Sequence, residues 1–157
     1  DSYQSIMVRD EDVNRLVNMV LRVSRYALRK PSLIQNAGLT PFDFFKYAQV
    51  ADHLERVADE AKRLSRYFRK IETDEKTKKD IVALYGEICG MYEKVMEAFY
   101  ANDMPKAFEL ASNDQSVRER CDALSASCDS KSYACIIAEK LKTMDYCIHS
   151  IGREIYQ

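Results

Sequence analysis

Residues 137–155 read IAEKLKTMDYCIHSIGREI and carry large aliphatic side chains at every third or fourth position. The positions follow a 4-3-4-3-4 spacing: Ile137, Leu141, Met144, Ile148, Ile151 and Ile155. Residues in this rhythm lie on one face of an α-helix, and a sustained 3.5-residue repeat is typical of helices packed at shallow angles. The stretch therefore predicts an all-α protein, built as an antiparallel helical bundle.

The same spacing extends through most of the chain, and a period of two persists nowhere. It predicts five helices, at about residues 10–30, 41–70, 74–101, 105–128 and 132–156. Thr40, followed by Pro41 and Asp43, has the pattern of a helix N-cap, and Thr73 before Asp74 has it as well. We therefore expect capped starts for the second and third helices.

The composition is that of a protein with long helices. The 157 residues include four glycines, three prolines and no tryptophan, and 31% of them are charged. Lys and Arg (24) nearly balance Asp and Glu (25), which argues against a strongly cationic nucleic-acid binder. No stretch approaches 18 apolar residues and no signal segment is recognisable, so membrane insertion is not expected.

The five cysteines, at positions 89, 121, 128, 135 and 147, form no CxxC motif. Cys121 and Cys128 fall at core spacing, where a free cysteine behaves as a small hydrophobic residue. We predict buried structural thiols. Such thiols are compatible with a reducing cytoplasm, where we expect the protein to reside.

An internal repeat is visible in the sequence. HLERVADEAKRLS (53–65) aligns with KLKTMDYCIHSIG (140–152), and the helix before each begins with Asp-x-x-Val, in DEDVN (10–14) and DQSVR (114–118). Order and spacing agree, so we predict two related helical units. Residues 1–72 would supply two helices, and residues 73–157 would supply three.

Two like charges, Glu55 and Asp59, lie one turn apart on the predicted second helix. Such a pair is unfavourable by roughly 0.2–0.5 kcal/mol unless something compensates it. One explanation is a solvated helix face on which Arg56 and Arg63 neutralise the two carboxylates.

The other explanation is a bound cation. The small residues Ala51 and Ala58 lie beside Glu55 and Asp59 and would let a neighbouring helix bring Asp10 close. Three carboxylates form an all-oxygen site of the kind that suits iron, manganese or magnesium. The chain has no Glu-x-x-His pair, which disfavours a ferritin-like di-iron oxidase.

The sequence shows no motif that is typical of a catalytic site. The chain has two histidines, no Gly-rich phosphate loop and no nucleophile elbow, so neither a hydrolase nor a nucleotide-binding site is expected. We predict that the protein is not an enzyme, and that His149 is a surface or partly buried histidine.

Residues 54–65, LERVADEAKRLS, resemble the motif of the PhoU family, in which a leucine precedes Glu-Arg-aliphatic-small-Asp. Residues 8–41, VRDEDVNRLVNMVLRVSRYALRKPSLIQNAGLTP, are similar to the preceding helix and connection of archaeal PhoU-like proteins. The resemblance covers nearly the whole chain and is most specific over residues 8–68. It implies two three-helix repeats, with residues 1–72 lacking the first helix of the first repeat.

The resemblance also implies a function. PhoU proteins are non-catalytic regulators of phosphate homeostasis, which restrain the phosphate ABC transporter through its ATPase and signal to a sensor kinase. In some members the Glu/Asp-x-x-x-Asp motif binds multinuclear metal clusters. Here the resemblance implies Glu55 and Asp59, with Asp10 from the preceding helix, as ligands for iron or another divalent ion.

The second unit departs from the family pattern. Lys142 and Tyr146 stand at the two motif positions, and neither side chain replaces a carboxylate around a hard cation. We therefore expect metal in the first unit only, with Asp114 left without its usual partners.

Many archaeal relatives carry an AbrB-type DNA-binding domain before the PhoU part. A chain that begins at Asp1, without Met, is expected to be a piece that lacks this domain and the first helix. The alternative function is thus a helical dimerisation or sensing domain of an AbrB–PhoU transcriptional regulator, which contacts DNA only through the missing domain. Loss of the first helix should expose Val17, Val20 and Phe44, so we expect a homo-oligomer.

Overall fold

The computed structural model describes residues 2–112, 115–129 and 132–156, and these residues are almost entirely helical. In chain order the helices are α1 (Ser2–Leu28), α2 (Pro31–Asn36), α3 (Pro41–Phe68), α4 (Glu75–Ala101), α5 (Met104–Ser112), α6 (Gln115–Ser127) and α7 (Tyr133–Tyr156). These ranges contain no β-strand, so the all-α prediction is confirmed.

The observed helices differ from the predicted ones in several places. α1 begins near residue 2 instead of residue 10, and the connection after it contains α2, whose first residue, Pro31, has the fixed φ of a helix start. The helix predicted over 105–128 corresponds to α5 and α6, on either side of residues 113 and 114, which lie outside the description.

The start of α3 has the predicted cap. The Thr40 hydroxyl accepts a hydrogen bond from the Asp43 backbone N–H, and the Asp43 carboxylate accepts one from the Thr40 N–H at 2.7 Å. The Thr40 hydroxyl also donates to the Asp43 carboxylate at 2.7 Å, and this bond, with the one from the Thr40 N–H, lowers the pKa of Asp43. Together they form a capping box, which satisfies backbone groups that the first helical turn leaves unpaired.

The start of α4 was predicted one residue too early. Its N-cap is Asp74 and not Thr73, because the Asp74 carboxylate reaches the Thr77 backbone N–H at 2.9 Å. At the other end, Asn102 adopts a left-handed conformation with φ of 51° and ends the helix.

α7 lies at the centre of the bundle. The six aliphatic residues of its seam, from Ile137 to Ile155, are between 0% and 4% exposed. α3, α4, α5 and α6 all pack against α7. α3 is antiparallel to it, with the Tyr67 ring near one end of α3 only 5.9 Å from the Tyr133 ring at the start of α7.

α1 packs along α3 at the edge of the bundle. Phe44 at the start of α3 was expected to be exposed, and this was wrong. It is buried against Ala27 and Ile34, because α2 folds back over this end of α3. Val17 and Val20, which were expected to be exposed with it, are partly exposed.

The cysteines divide into two groups. Cys121 and Cys147 are buried as predicted, whereas Cys89, Cys128 and Cys135 are partly exposed, and all five are free thiols. Burial raises the pKa of the Cys121 thiol to about 11, so this thiol stays protonated at neutral pH. Among the described helices, none has both the length and the apolar character that a membrane crossing needs.

Replacing Leu141 by alanine should lower the free energy of unfolding by about 2–5 kcal/mol, because it removes a fully buried side chain from the centre of α7. Urea unfolding followed by circular dichroism measures this. The matched control is Leu28→Ala at the exposed end of α1, which should change stability by about 0.5 kcal/mol or less. Equal losses in the two variants would show that α7 is not the core helix.

Candidate functional site

The predicted acidic site lies where α1 crosses α3. Asp10 of α1 is buried, and its carboxylate lies 2.7 Å from the ammonium nitrogen of Lys62 on α3. The same ammonium lies 2.8 Å from Asp59. Lys62 therefore joins the two carboxylates, and we call this group the Lys62 bridge.

The Lys62 bridge is electrostatically matched. The Lys62 side chain is only 18% exposed, so its charge is largely removed from water. The hydrogen bonds to Asp10 and Asp59 raise the pKa of Lys62 above its ordinary value of 10.5. An ammonium held by two carboxylates stays charged, and Arg63, 3.3 Å from Asp59, supplies the second positive charge that the two carboxylates need.

A second set of charges continues from Asp59 to α7. Arg63 lies 3.3 Å from Asp59 and 2.6 Å from the buried Glu60. Glu60 in turn lies 3.3 Å from Lys140 of α7. Positive and negative groups thus alternate from α7 across α3 to α1, and they tie the three helices together by charge-assisted contacts.

Glu55, the third predicted ligand, does not belong to this group. It is partly exposed on α3, and it takes part in none of the ion pairs observed among the described residues. Arg56, which was expected to help neutralise it, pairs instead with Asp52 at 3.0 Å. Arg63 compensates Asp59 as predicted.

The observed arrangement does not fit a divalent ion. Within residues 2–112, 115–129 and 132–156, no group of three or more His, Cys, Asp and Glu side chains is placed to hold one. Asp10 and Asp59 do approach each other as predicted, but an ammonium group lies between them. The metal site of Asp10, Glu55 and Asp59 stays a prediction, and it requires Lys62 to move.

The second unit has a buried acid–base cluster at a similar position. On α7, Asp145 and His149 are almost fully buried, with His149 Nε2 3.4 Å from Asp145 Oδ1. Nε of Arg118 on α6 lies 3.4 Å from Asp145 Oδ2. The expectation that His149 is a surface or partly buried residue was therefore wrong, because α7 is covered on the side that carries it.

Of the two motif positions of the second unit, Lys142 takes no part in this cluster, whereas Tyr146 borders it. Lys142 is partly exposed and forms an ion pair with Asp122 of α6. The exposed Tyr146 ring lies beneath two guanidinium groups, with Arg118 5.8 Å and Arg153 5.4 Å from its centre. Asp114, which was expected to lack partners, lies outside the described residues.

Sequence reasoning missed the cations of both clusters. Lys62 lies three residues after Asp59, and His149 lies four residues after Asp145, so both are neighbours of a carboxylate on the helix surface. That spacing was the available signal. It could not show that Lys62 also meets Asp10 of α1, or that Asp145 also meets Arg118 of α6.

An apolar groove lies next to the Lys62 bridge. It runs between α1 and α4, has α3 as its floor and encloses about 380 Å³. Val13, Val17 and Val20 of α1 form one wall, and Tyr92 of α4 contributes to the other. The floor includes Ala51 and Ala58, the small residues noted beside the acidic motif. We call this feature the α1–α4 groove.

Comparison of the chain with protein-family models, with curated proteins and with solved structures found no match.

Replacing Lys62 by methionine should lower the free energy of unfolding by about 2–3 kcal/mol, because it leaves the buried Asp10 carboxylate without its cation. Lys78→Met is the matched control. Lys78 also pairs with a carboxylate three residues away at 2.8 Å, but on an exposed surface, so about 0.5 kcal/mol or less is expected. A loss no larger than that of the control would contradict the buried bridge.

The contribution of Lys62 should disappear at high pH. The folded state raises its pKa, so its stabilisation is complete below the unfolded pKa, near 10.5, and is lost as the pH rises through the folded value. The difference in unfolding free energy between the wild type and Lys62→Met should therefore stay constant between about pH 7 and pH 9 and shrink above about pH 10.5. Urea titrations at each pH measure it, and a difference that grows in alkali would contradict the assignment.

Proposed function

We propose that the chain is a non-catalytic regulatory module of PhoU type, which acts in phosphate homeostasis by binding protein partners. The observation that carries this proposal is the correspondence between its two halves. α3 and α7 are aligned in sequence and lie antiparallel, with α1 packed on α3 and α6 packed on α7. This supports two repeats, over residues 1–72 and 73–157, as the PhoU resemblance implies.

The two charged clusters also support the correspondence between the two halves of the chain. The alignment of residues 53–65 with 140–152 places Lys62 on His149, and both are cationic or protonatable side chains that face a carboxylate of the same helix. Asp10 completes the first cluster from α1, and Arg118 completes the second from α6. Each unit thus joins its neighbouring helix at a comparable turn, through an acid–base contact.

A role in binding is also consistent with the contacts that the charged side chains of the two clusters make. Asp10, Glu60 and Asp145 are engaged with cations of neighbouring helices, where these contacts hold the helices together. The proposed partners are the ATPase of the phosphate ABC transporter and its sensor kinase, both reached from the cytoplasm. The PhoU resemblance is the source of this assignment.

A second candidate is the helical dimerisation or sensing domain of an AbrB–PhoU type transcriptional regulator. It is favoured by the apolar surface of α1 that faces away from α3, which includes the exposed residues Leu16, Met19 and Val23. An exposed apolar stripe on a long helix is typical of a surface that binds another protein chain. In this candidate, DNA is contacted by a separate domain.

The transporter ATPase from the same organism provides the test. We expect saturable binding to the immobilised chain by biolayer interferometry, and we expect overproduction of the chain to lower uptake of labelled phosphate by phosphate-replete cells. Lys62→Met should weaken binding because it loosens α1, whereas Lys78→Met should not. No binding together with unchanged uptake would contradict the proposal. Changed transcription without ATPase binding would favour the second candidate.

A further inference from the structure

One end of the bundle has a basic cavity where the start of α1 meets the end of α3. The cavity encloses about 310 Å³ and is lined by Tyr3 of α1 and by Arg66, Arg69 and Lys70. Arg69 follows the last residue of α3 and keeps a helical backbone conformation. Arg69 and Lys70 therefore lie on the same side of the helix end as Arg66, three and four residues earlier. We call this feature the Arg69 pocket.

The cations of the Arg69 pocket are not neutralised by the described part of the chain. One turn earlier on α3, Lys62 and Arg63 each contact two carboxylates. The three cations of the pocket form no ion pair with any described residue, and the described lining contains no carboxylate. Glu72, the nearest acid in the sequence, is exposed and pairs with none of them. The pocket thus concentrates three positive charges.

The Tyr3 ring positions one of these cations. The Arg69 guanidinium lies 5.3 Å from the centre of the ring, in a cation–π contact. A guanidinium stacked on a ring still presents N–H groups at the edge of its plane, and these can donate to an anion. The contact also joins α1 to α3, so the pocket forms only when the two helices are packed together.

Positive charge at a helix end is not by itself a binding site. Partial negative charge on the last carbonyl groups attracts cations there. The chain has the same Arg-Lys pair directly after α1, at Arg29 and Lys30. The Arg69 pocket differs because its cations border one cavity that also has an aromatic wall.

The walls of the pocket indicate which anion fits. They consist largely of the Tyr3 ring and of the hydrocarbon stems of the basic side chains, which carry their charges at the far end. Such a cavity suits a molecule with an apolar body and an anionic end. A phosphoryl group matches three cations better than a carboxylate does, because a phosphomonoester carries about −1.5 to −2 charge at pH 7 and accepts paired N–H donors from arginine.

We propose that the Arg69 pocket binds the phosphoryl group of an organic phosphate, which is either a soluble monoester or the headgroup of a lipid. Arg66 and Arg69 donate hydrogen bonds to the phosphoryl oxygens, and Lys70 adds the third positive charge. The organic part lies against the Tyr3 ring and the side-chain stems. The inference is drawn from the pocket alone and does not depend on the proposed regulatory function.

Isothermal titration calorimetry of the full chain at low ionic strength tests the site, with phenyl phosphate as the soluble probe. We expect saturable binding in the millimolar range and no binding of phenol, which has the ring without the charge. Arg69→Gln with Lys70→Gln should weaken binding at least about tenfold, because two of three charged contacts are lost. Arg29→Gln with Lys30→Gln is the matched control at the opposite end of the bundle and should bind like the wild type.

The tyrosine is tested separately. Tyr3→Ala should weaken the binding of phenyl phosphate, whereas Tyr3→Phe should retain it because phenylalanine keeps the aromatic face. Circular dichroism should show unchanged helix content in both variants. Equal affinity in the two variants would contradict the role of the ring.

Vesicles distinguish the two sources of the phosphoryl group. Phosphatidylcholine vesicles with phosphatidic acid present a phosphomonoester, whereas those with phosphatidylglycerol present a diester with a single charge. Flotation of the protein with the phosphatidic acid vesicles only would identify the lipid headgroup as the source. Binding of phenyl phosphate without flotation would identify a soluble ester.

Three outcomes would overturn the site. The first is a wild type that binds neither phenyl phosphate nor phosphatidic acid vesicles. The second is equal binding by the Arg69→Gln, Lys70→Gln variant and its matched control. The third is equal flotation with both anionic vesicles and no binding of phenyl phosphate, which would show general attraction to a negative surface. Binding of the transporter ATPase is tested with Lys62→Met, outside the pocket, so the two proposals fail separately.

Discussion

Burial of α7 constrains the position of the helices around it. Its aliphatic seam requires apolar cover, but Asp145, His149 and Ser150 are buried on the same helix. A buried carboxylate is costly without a cation nearby, and α6 brings Arg118 to within 3.4 Å of Asp145. The buried residues Cys121 and Leu124 turn one face of α6 toward the core, and the contact of Arg118 with Asp145 supports the same orientation.

The first unit also buries a carboxylate, and there a lysine supplies the cation. Asp10 is buried when α1 packs on α3, and Lys62 supplies the positive charge that a metal ion would supply in an all-oxygen site. The ammonium donates directional hydrogen bonds to both carboxylates and is covalently part of the chain. Arg63 supplies a further positive charge at Asp59.

α1 is a long helix whose one extensive contact is its packing along α3. The two halves of the chain therefore differ in how well their helices are covered. α7 is covered by four helices, whereas the flank of α3 next to α1 forms an apolar groove. The alanines of α3 keep this groove open because they are too short to fill it.

The sequence by itself determined the helices, because helix formation depends on residues three and four positions apart in one chain. The seam of α7 and the Thr40 cap were readable in this way. Only the tertiary structure decided which side chains meet across helices. The position of Lys62 between two carboxylates, the burial of His149 and the cover over Phe44 all depend on helix rotation and on the return of α2. These features have no local signature, because they arise from contacts between segments distant in sequence.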